Sequence, residues 1–300
     1  MVDNIARTED IRFSPDGRRM AIAGFAKGSI LVLDLAETSK LHVVGCLEIV
    51  HDKLLYPHGV DWLDDAHLVI ANRKGNVAVA ALPPRAEGAR RETAKFVKSV
   101  ERVAPLNPIS SPGSVAVVRH GTETGIWVCN NYANLMSYHP LAGRMDLLGL
   151  LRNRIAITEG LRVPDGVSVS GDARFMAVSN HNTHEVFLYA LAGPGKATKV
   201  GSLGWIDYPH GLRFLPDGKG IVVADAGQPF LHVFRTETDW AGDHAPHLRL
   251  RVMDDQTYFA GRYNTQEGGI KGLDIDARRG LVVTTCEMQN LQVFRLQDFY

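Results

Sequence analysis

Cysteine is scarce: Cys46, Cys129 and Cys286 lie far apart and match no zinc-binding spacing. Two of them sit inside apolar strand-like runs, "IWVCNN" and "VVTTCE", where a thiol serves as a small buried hydrophobe. Excess charge is lacking too. The 33 Lys and Arg balance 33 Asp and Glu, which argues against broad binding of nucleic acid or an anionic membrane. The richest basic run, Arg85 to Lys98, also holds Glu87 and Glu92 and reads as a solvated loop and strand. No apolar run reaches membrane-spanning length, and Met1 to Phe13 lack the apolar core of a signal peptide, so a cytoplasmic protein is expected. A nucleophile elbow, a P-loop, a dinucleotide fingerprint and convincing amphipathic helices are all missing.

What the chain has instead is repetition. "LYPHGVDWLDDAHLVIANRKG" from Leu55 and "DYPHGLRFLPDGKGIVVADAG" from Asp207 share Tyr-Pro-His-Gly, an alternating apolar run, a turn, and a second run ending in Asn or Asp. Six such units align, anchored at Asp10, Gly59, Gly113, Gly166, Gly211 and Gly272. Their spacing of about 50 residues is that of propeller blades. Each unit supplies three short strands separated by Asp-Gly or Gly-Asn turns, and a fourth lies in the variable stretch before the next anchor, as in "LHVVGCLEI" and "ATKVGSL". The expected fold is all-β: a six-bladed β-propeller spanning residues 1–300 as one domain, with four antiparallel strands per blade. The last unit stops after "LQVFRL", so Val2 to Arg7 are expected to pair with Leu291 to Arg295 and close the last blade.

In such a ring the anchor strands line a central channel, and the small anchor Gly lets their backbones converge. The residue before each Gly then stands at the mouth: His58, Asp165, His210 and Lys271, with Pro112 in the third unit and Glu9 or Asp10 in the first. Blades 2 and 5 are opposite, so His58 should face His210. Turns after the second strands open on the same face and carry Asn72, Arg73, Asn130, Asn180, Asp225 and Glu287 as candidate substrate contacts, although Asn and Asp at strand ends are also ordinary turn formers. His181 and His184, in "NHNTHE", are expected in solvent.

"VPDGVSVSGDARFMAVSN" and "YPHGLRFLPDGKGIVVAD" resemble the anchor and second strands of the SMP-30, gluconolactonase and lactonase group, and more loosely NHL-repeat propellers. The resemblance implies one divalent cation at the mouth, which polarises a lactone or ester carbonyl and activates water while an acidic ligand serves as base. Carried over, Glu9 is the first-blade carboxylate, Asp165 stands where Asn is usual, and His210 stands where the family has Asp. Metal ligands are then Glu9, His58, Asp165 and His210, with His210, Asp165 and Lys271 as catalytic candidates. Histidine makes the set softer than a calcium site, nearer to zinc, iron or manganese. The expectation is a hydrolase or lyase for a small polar substrate. The alternative is a non-catalytic NHL-like propeller that binds a protein or glycan partner on its top face.

Overall fold

The computed structural model describes residues 7–104, 106–141, 153–286 and 288–300. Six of the seven sheets among the described residues stand around a central axis, and the seventh is a two-stranded hairpin of Arg102–Ala104 with Asn107–Pro108. Blade 1 comprises Thr8–Phe13, Arg19–Gly24, Ser29–Leu35 and Val43–Val50. Blade 2 comprises Pro57–Asp64, His67–Asn72, Val77–Ala81 and Lys95–Val100. Blade 3 holds Pro112–His120, Glu123–Asn130, Leu135–Pro140 and Arg154–Ile157. Blade 4 holds Pro164–Val169, Phe175–Asn180, Glu185–Gly193 and Lys196–Leu203. Blade 5 holds Pro209–Phe214, Gly220–Asp225, Phe230–Arg235 and Leu248–Arg251. Blade 6 holds Ile270–Asp276, Leu281–Cys286 and Gln289–Arg295. Pairing within these strand sets is antiparallel.

The strands are short because turn residues interrupt them. Gly17 and Gly218, in the two Asp-Gly turns of blades 1 and 5, adopt φ of 65° and 69°, which glycine reaches without steric cost. Each blade is covered on both faces, so an inner strand such as Arg19–Gly24 is buried at every residue. An apolar cluster fills every blade interface. Trp62 and Ile70 of blade 2 pack on Ile30 and Leu47 of blade 1, for example, and Val283 of blade 6 packs on Ile11 and Met20 of blade 1. That last contact closes the ring. The expected pairing of Val2 to Arg7 with the last blade falls largely on residues 1–6, outside the described residues.

Two features depart from the expected pattern. Strands Gly88–Thr93 and Gly242–His244 add to the outer edges of blades 1 and 4 in parallel, covering edges that would otherwise be open. A short helix, Asp255–Gly261, interrupts the link between blades 5 and 6, and the Asp254 side chain caps it by accepting from the Thr257 N–H. No helix among the described residues is long and apolar enough to cross a membrane.

Candidate functional site

All six innermost strands shift register at the same place, next to the anchor position. A β-bulge of this kind re-aims one side chain out of the ladder. In five blades it turns one side chain into the mouth: Glu9, His58, Asp165, His210 and Lys271. The anchor glycines behind them are required by close approach. A Cβ on Gly166 would lie 2.0 Å from the His210 carbonyl oxygen, and one on Gly211 would lie 2.4 Å from that of Lys271.

Blade 3 corrects the expected frame by one residue. Pro112 pairs with Asn130 as Pro164 pairs with Asn180 and Pro209 with Asp225, so Gly113, not Pro112, occupies the ring position. The space a side chain would take there is filled by the Asn131 amide, which donates to Asp165 Oδ1. In blade 1 the ring residue is Glu9, while Asp10 takes the anchor place.

A second ring comes from the residues just after the second strands. The backbone N–H groups of Phe25, Arg73, Asn131, His181 and Ala226 each donate to a carbonyl two residues before their own blade's ring residue, at 2.9–3.2 Å. These bonds fix Arg73, Asn131 and His181 over the mouth. His181 is therefore not in solvent as its polar loop suggested. It is buried, with Nε2 3.3 Å from Asp165 Oδ2, whereas His184 is exposed. Asn72, Asn130, Asn180 and Asp225 sit one residue earlier, fully buried, and brace turns. Asn130 accepts from the Ser110 N–H, Asn180 from Arg162 and Asp225 from Tyr208, so three of them hold the loops that lead into ring residues. Asn72 reaches Asn76. Glu287 lies outside the described residues.

At the centre, His210 Nε2 is 3.1 Å from Asp165 and 3.4 Å from Glu9, and His58 Nε2 is 3.8 Å and 3.7 Å from the same carboxylates. The two imidazoles face each other with ring centroids 5.5 Å apart. A cavity of about 10 Å³, enough for one water-sized species, lies among Glu9, His58, Asp165 and His210. Above it opens a chamber of about 280 Å³ walled by Arg7, Arg73, Tyr132, His181, Tyr208 and Lys271. Below, the channel is plugged by ion pairs: Arg213 to Asp274 at 2.9 Å and to Asp10 at 3.1 Å, with Arg12 beside them.

The protonation pattern is unusual. His58 Nδ1 lies 3.0 Å from the Gly113 carbonyl and must carry the hydrogen, so Nε2 presents a lone pair to the carboxylates. Burial first, and then the charge of Arg73, pull the His58 pKa down to about 3, so the ring is neutral at physiological pH. Burial would raise Glu9, but the Lys271 ammonium, the facing imidazoles and Arg7 outweigh it and hold the carboxyl well below its usual range, with Lys271 and Arg7 the permanent cations at neutral pH. Burial would also raise Asp165. Neighbouring imidazoles and Arg73 reverse that, and at neutral pH the permanent cation is Arg73. Two ionised carboxylates therefore face an imidazole lone pair. Glu9 Oε2, His58 Nε2, Asp165 Oδ2 and His181 Nε2 are all buried without a hydrogen-bond partner.

A cation would satisfy this arrangement. Glu9, His58 and His210 bring ligand atoms within 4.8 Å of one another, as do Asp165, His181 and His210. For a four-coordinate cation with bonds of about 2.0–2.2 Å, ligand atoms are about 3.3–3.6 Å apart, close to the spacings here. Two imidazoles with two carboxylates suit zinc, iron or manganese better than calcium, which takes six to eight oxygens. The residues fit the group.

Fold and mouth together define a six-bladed β-propeller with a histidine–carboxylate ring across a blind channel. No protein-family model matches the chain, and no curated protein matches it. Among solved structures it resembles a functionally unknown protein from Desulfotomaculum acetoxidans (TM-score 0.62, 14% identity, covering 97% of this chain and 83% of that one). It also resembles a candidate 6-phosphogluconolactonase from Bacteroides uniformis (TM-score 0.63, 12% identity, 95% and 80% covered). A third likeness is to the periplasmic gluconolactonase PpgL of Pseudomonas aeruginosa (TM-score 0.61, 16% identity, 96% and 80% covered). At these identities the likeness establishes the fold.

Proposed function

We propose that this protein is a metal-dependent hydrolase of the lactonase type, acting on a small polar lactone or ester at the mouth. The observation that supports it is the convergence of buried, unpartnered acceptor atoms from Glu9, His58 and Asp165 around a cavity of one ion's size. The gluconolactonase names among the structures of the same fold agree with that chemistry. Glu9, His58, Asp165 and His210 would hold the cation, which supplies Lewis acidity toward an acyl carbonyl and water acidified toward neutrality.

The chain's own residues do the rest. Lys271, buried between Glu9 at 3.4 Å and Glu267 at 2.5 Å, keeps Glu9 ionised and fixes its direction. Arg73 and Asn131 do the same for Asp165. His181 is the proton acceptor for the attacking water: it borders the chamber, its Nε2 has no donor, and burial keeps it neutral.

The test uses protein purified without a histidine tag. About one zinc, iron or manganese per chain is expected, together with hydrolysis of glucono-1,4-lactone that a chelator abolishes. His181→Ala should retain the metal and lose turnover by about 10²–10⁴-fold. His210→Ala should lose both. Protein without stoichiometric metal that leaves lactones untouched would overturn the reading and turn attention to partner binding on the top face.

A further inference from the structure

We infer that the chamber above the ring recognises a carboxylate through Arg73, so that the substrate is a small lactone or ester carrying a free carboxylate. The substrate class rests on the hydrolytic reading; the anion site stands on its own geometry.

Among the cations around the chamber, one leaves N–H donors unused. Arg7 pairs with both Glu9 and Glu267, and Lys271 pairs with the same two carboxylates. Arg73 is different. One of its nitrogens, Nη1, donates to Asp165 Oδ1 at 3.2 Å, and no other hydrogen bond to a described residue is made by the guanidinium. The remaining N–H groups are not sealed in the core, because the side chain keeps 16% of its exposure and borders the chamber. The group lies over the Tyr132 ring at 5.7 Å, which holds its plane while leaving the fork available. Its backbone is tied as well, since the Arg73 N–H donates to the Tyr56 carbonyl at 2.9 Å. A planar, pre-oriented guanidinium with spare donors matches a carboxylate, which accepts two parallel bonds.

Position and size narrow the ligand further. Because Arg73 already touches Asp165, an anion on its free edge lies beside the ring. The reacting acyl group and the recognised carboxylate therefore belong to one compact molecule. A chamber of about 280 Å³ is on the scale of a single small molecule such as a sugar acid. The free edge offers one bidentate contact, which a planar carboxylate fills with both its oxygens, whereas a phosphate would leave a further oxygen without a partner. Mono-lactones of sugar dicarboxylic acids have this shape.

The test compares ligands that differ by one carboxylate. Calorimetry on the protein as purified should show glucarate binding at least tenfold tighter than gluconate, the range expected of a charge-assisted bond. Turnover should favour glucaro-1,4-lactone over glucono-1,4-lactone by a similar ratio in kcat/KM. Arg73→Gln should bring both ratios close to one, and Arg73→Lys should fall between, since it keeps charge without the fork. Metal content measured on each variant separates these effects from damage at Asp165. Equal affinities in the wild type, undetectable binding of both included, or a preference that survives Arg73→Gln overturns the carboxylate site even if lactones are hydrolysed. Preference for 6-phosphoglucono-lactone over glucaro-lactone overturns the carboxylate assignment. Selective glucarate binding without any lactone hydrolysis keeps the anion site and removes the hydrolytic reading.

Discussion

His58 points a lone pair at two carboxylates because its one hydrogen is committed to the Gly113 carbonyl. Such an arrangement is costly unless something positive enters it, since buried polar groups without partners lose about 1–3 kcal/mol each. Asp165 is the centre of the cluster, with Arg73, Asn131, His181 and His210 all directed to its two oxygens. Asp165→Asn keeps the shape and removes the charge. Cation retention in dialysis should fall by more than the ten- to hundredfold seen for lost supporting partners, while the thermal midpoint in excess chelator changes little. Full metal retention in that variant would show that Asp165 is not a ligand. The repeat made the ring legible: His58, Asp165, His210 and Lys271 all precede a glycine. His181 was hidden because a histidine in a polar loop carries no signal of burial. Its column did carry one. Arg73, Asn131 and His181 each follow the Asn that ends a second strand, and neighbours along a strand point to opposite sides. The Asn braces the turn, and the next residue therefore faces the mouth.

Loops before the inner strands carry strain in a regular pattern. Tyr56, Ser111 and Val163 have φ of 58°, 47° and 57°, and each precedes a proline and then a ring position. For a β-branched residue such as Val163 the left-handed region is a genuine outlier. The conformation persists because its carbonyl accepts the His181 N–H at 3.2 Å and its own N–H donates to Asn134 at 2.8 Å. Strain held at a binding mouth by surrounding bonds is a common feature of functional sites. Val163→Asn, a residue that tolerates this region, should raise stability by about 1 kcal/mol in urea denaturation. A lower midpoint would mean that Val163 packing outweighs the strain. The sequence marked these loops only as Tyr-Pro, Ser-Pro and Val-Pro, and the dipeptide alone argues for extended backbone. Only the hydrogen bonds across the blade reveal why each residue departs from it. The one-residue slip in blade 3 has the same origin, because "SPGS" offers its glycine at the ring position and Ser114 at the anchor, and alternation cannot distinguish the two frames.

Across the whole molecule, the fold was readable because six copies of one pattern agreed in period, turn chemistry and strand length. The parallel edge strands were not, since they come from linkers without the repeat. The channel beneath the ring shows what six converging strands do with charge. Arg12 and Asp10 of blade 1, Asp61 of blade 2, Arg213 of blade 5 and Asp274 of blade 6 meet on the axis. Asp274 also accepts from the Phe13 N–H of blade 1 at 2.6 Å, and Asp61 accepts from the Val117 N–H of blade 3 at 2.7 Å. The network thus joins four blades directly and touches a fifth through backbone, while blocking passage from below. Arg213 bonds two carboxylates and the Ile11 carbonyl, all buried. Arg213→Met would keep much of the volume but leave Asp10 and Asp274 with Arg12 as their remaining cation. Breaking a buried pair from one side costs about 3–5 kcal/mol, because the partner charge stays in a medium that cannot solvate it. The expected outcome is a loss of that size in urea denaturation, little changed by 0.5 M salt because buried charges are poorly screened. Arg18, exposed and paired with Glu37 at 3.0 Å and Asp16 at 3.9 Å, provides the control: Arg18→Met should cost less than about 1 kcal/mol. If Arg213→Met proved as mild as Arg18→Met, the plug would be a bystander, and the ring would be closed by its apolar interfaces alone.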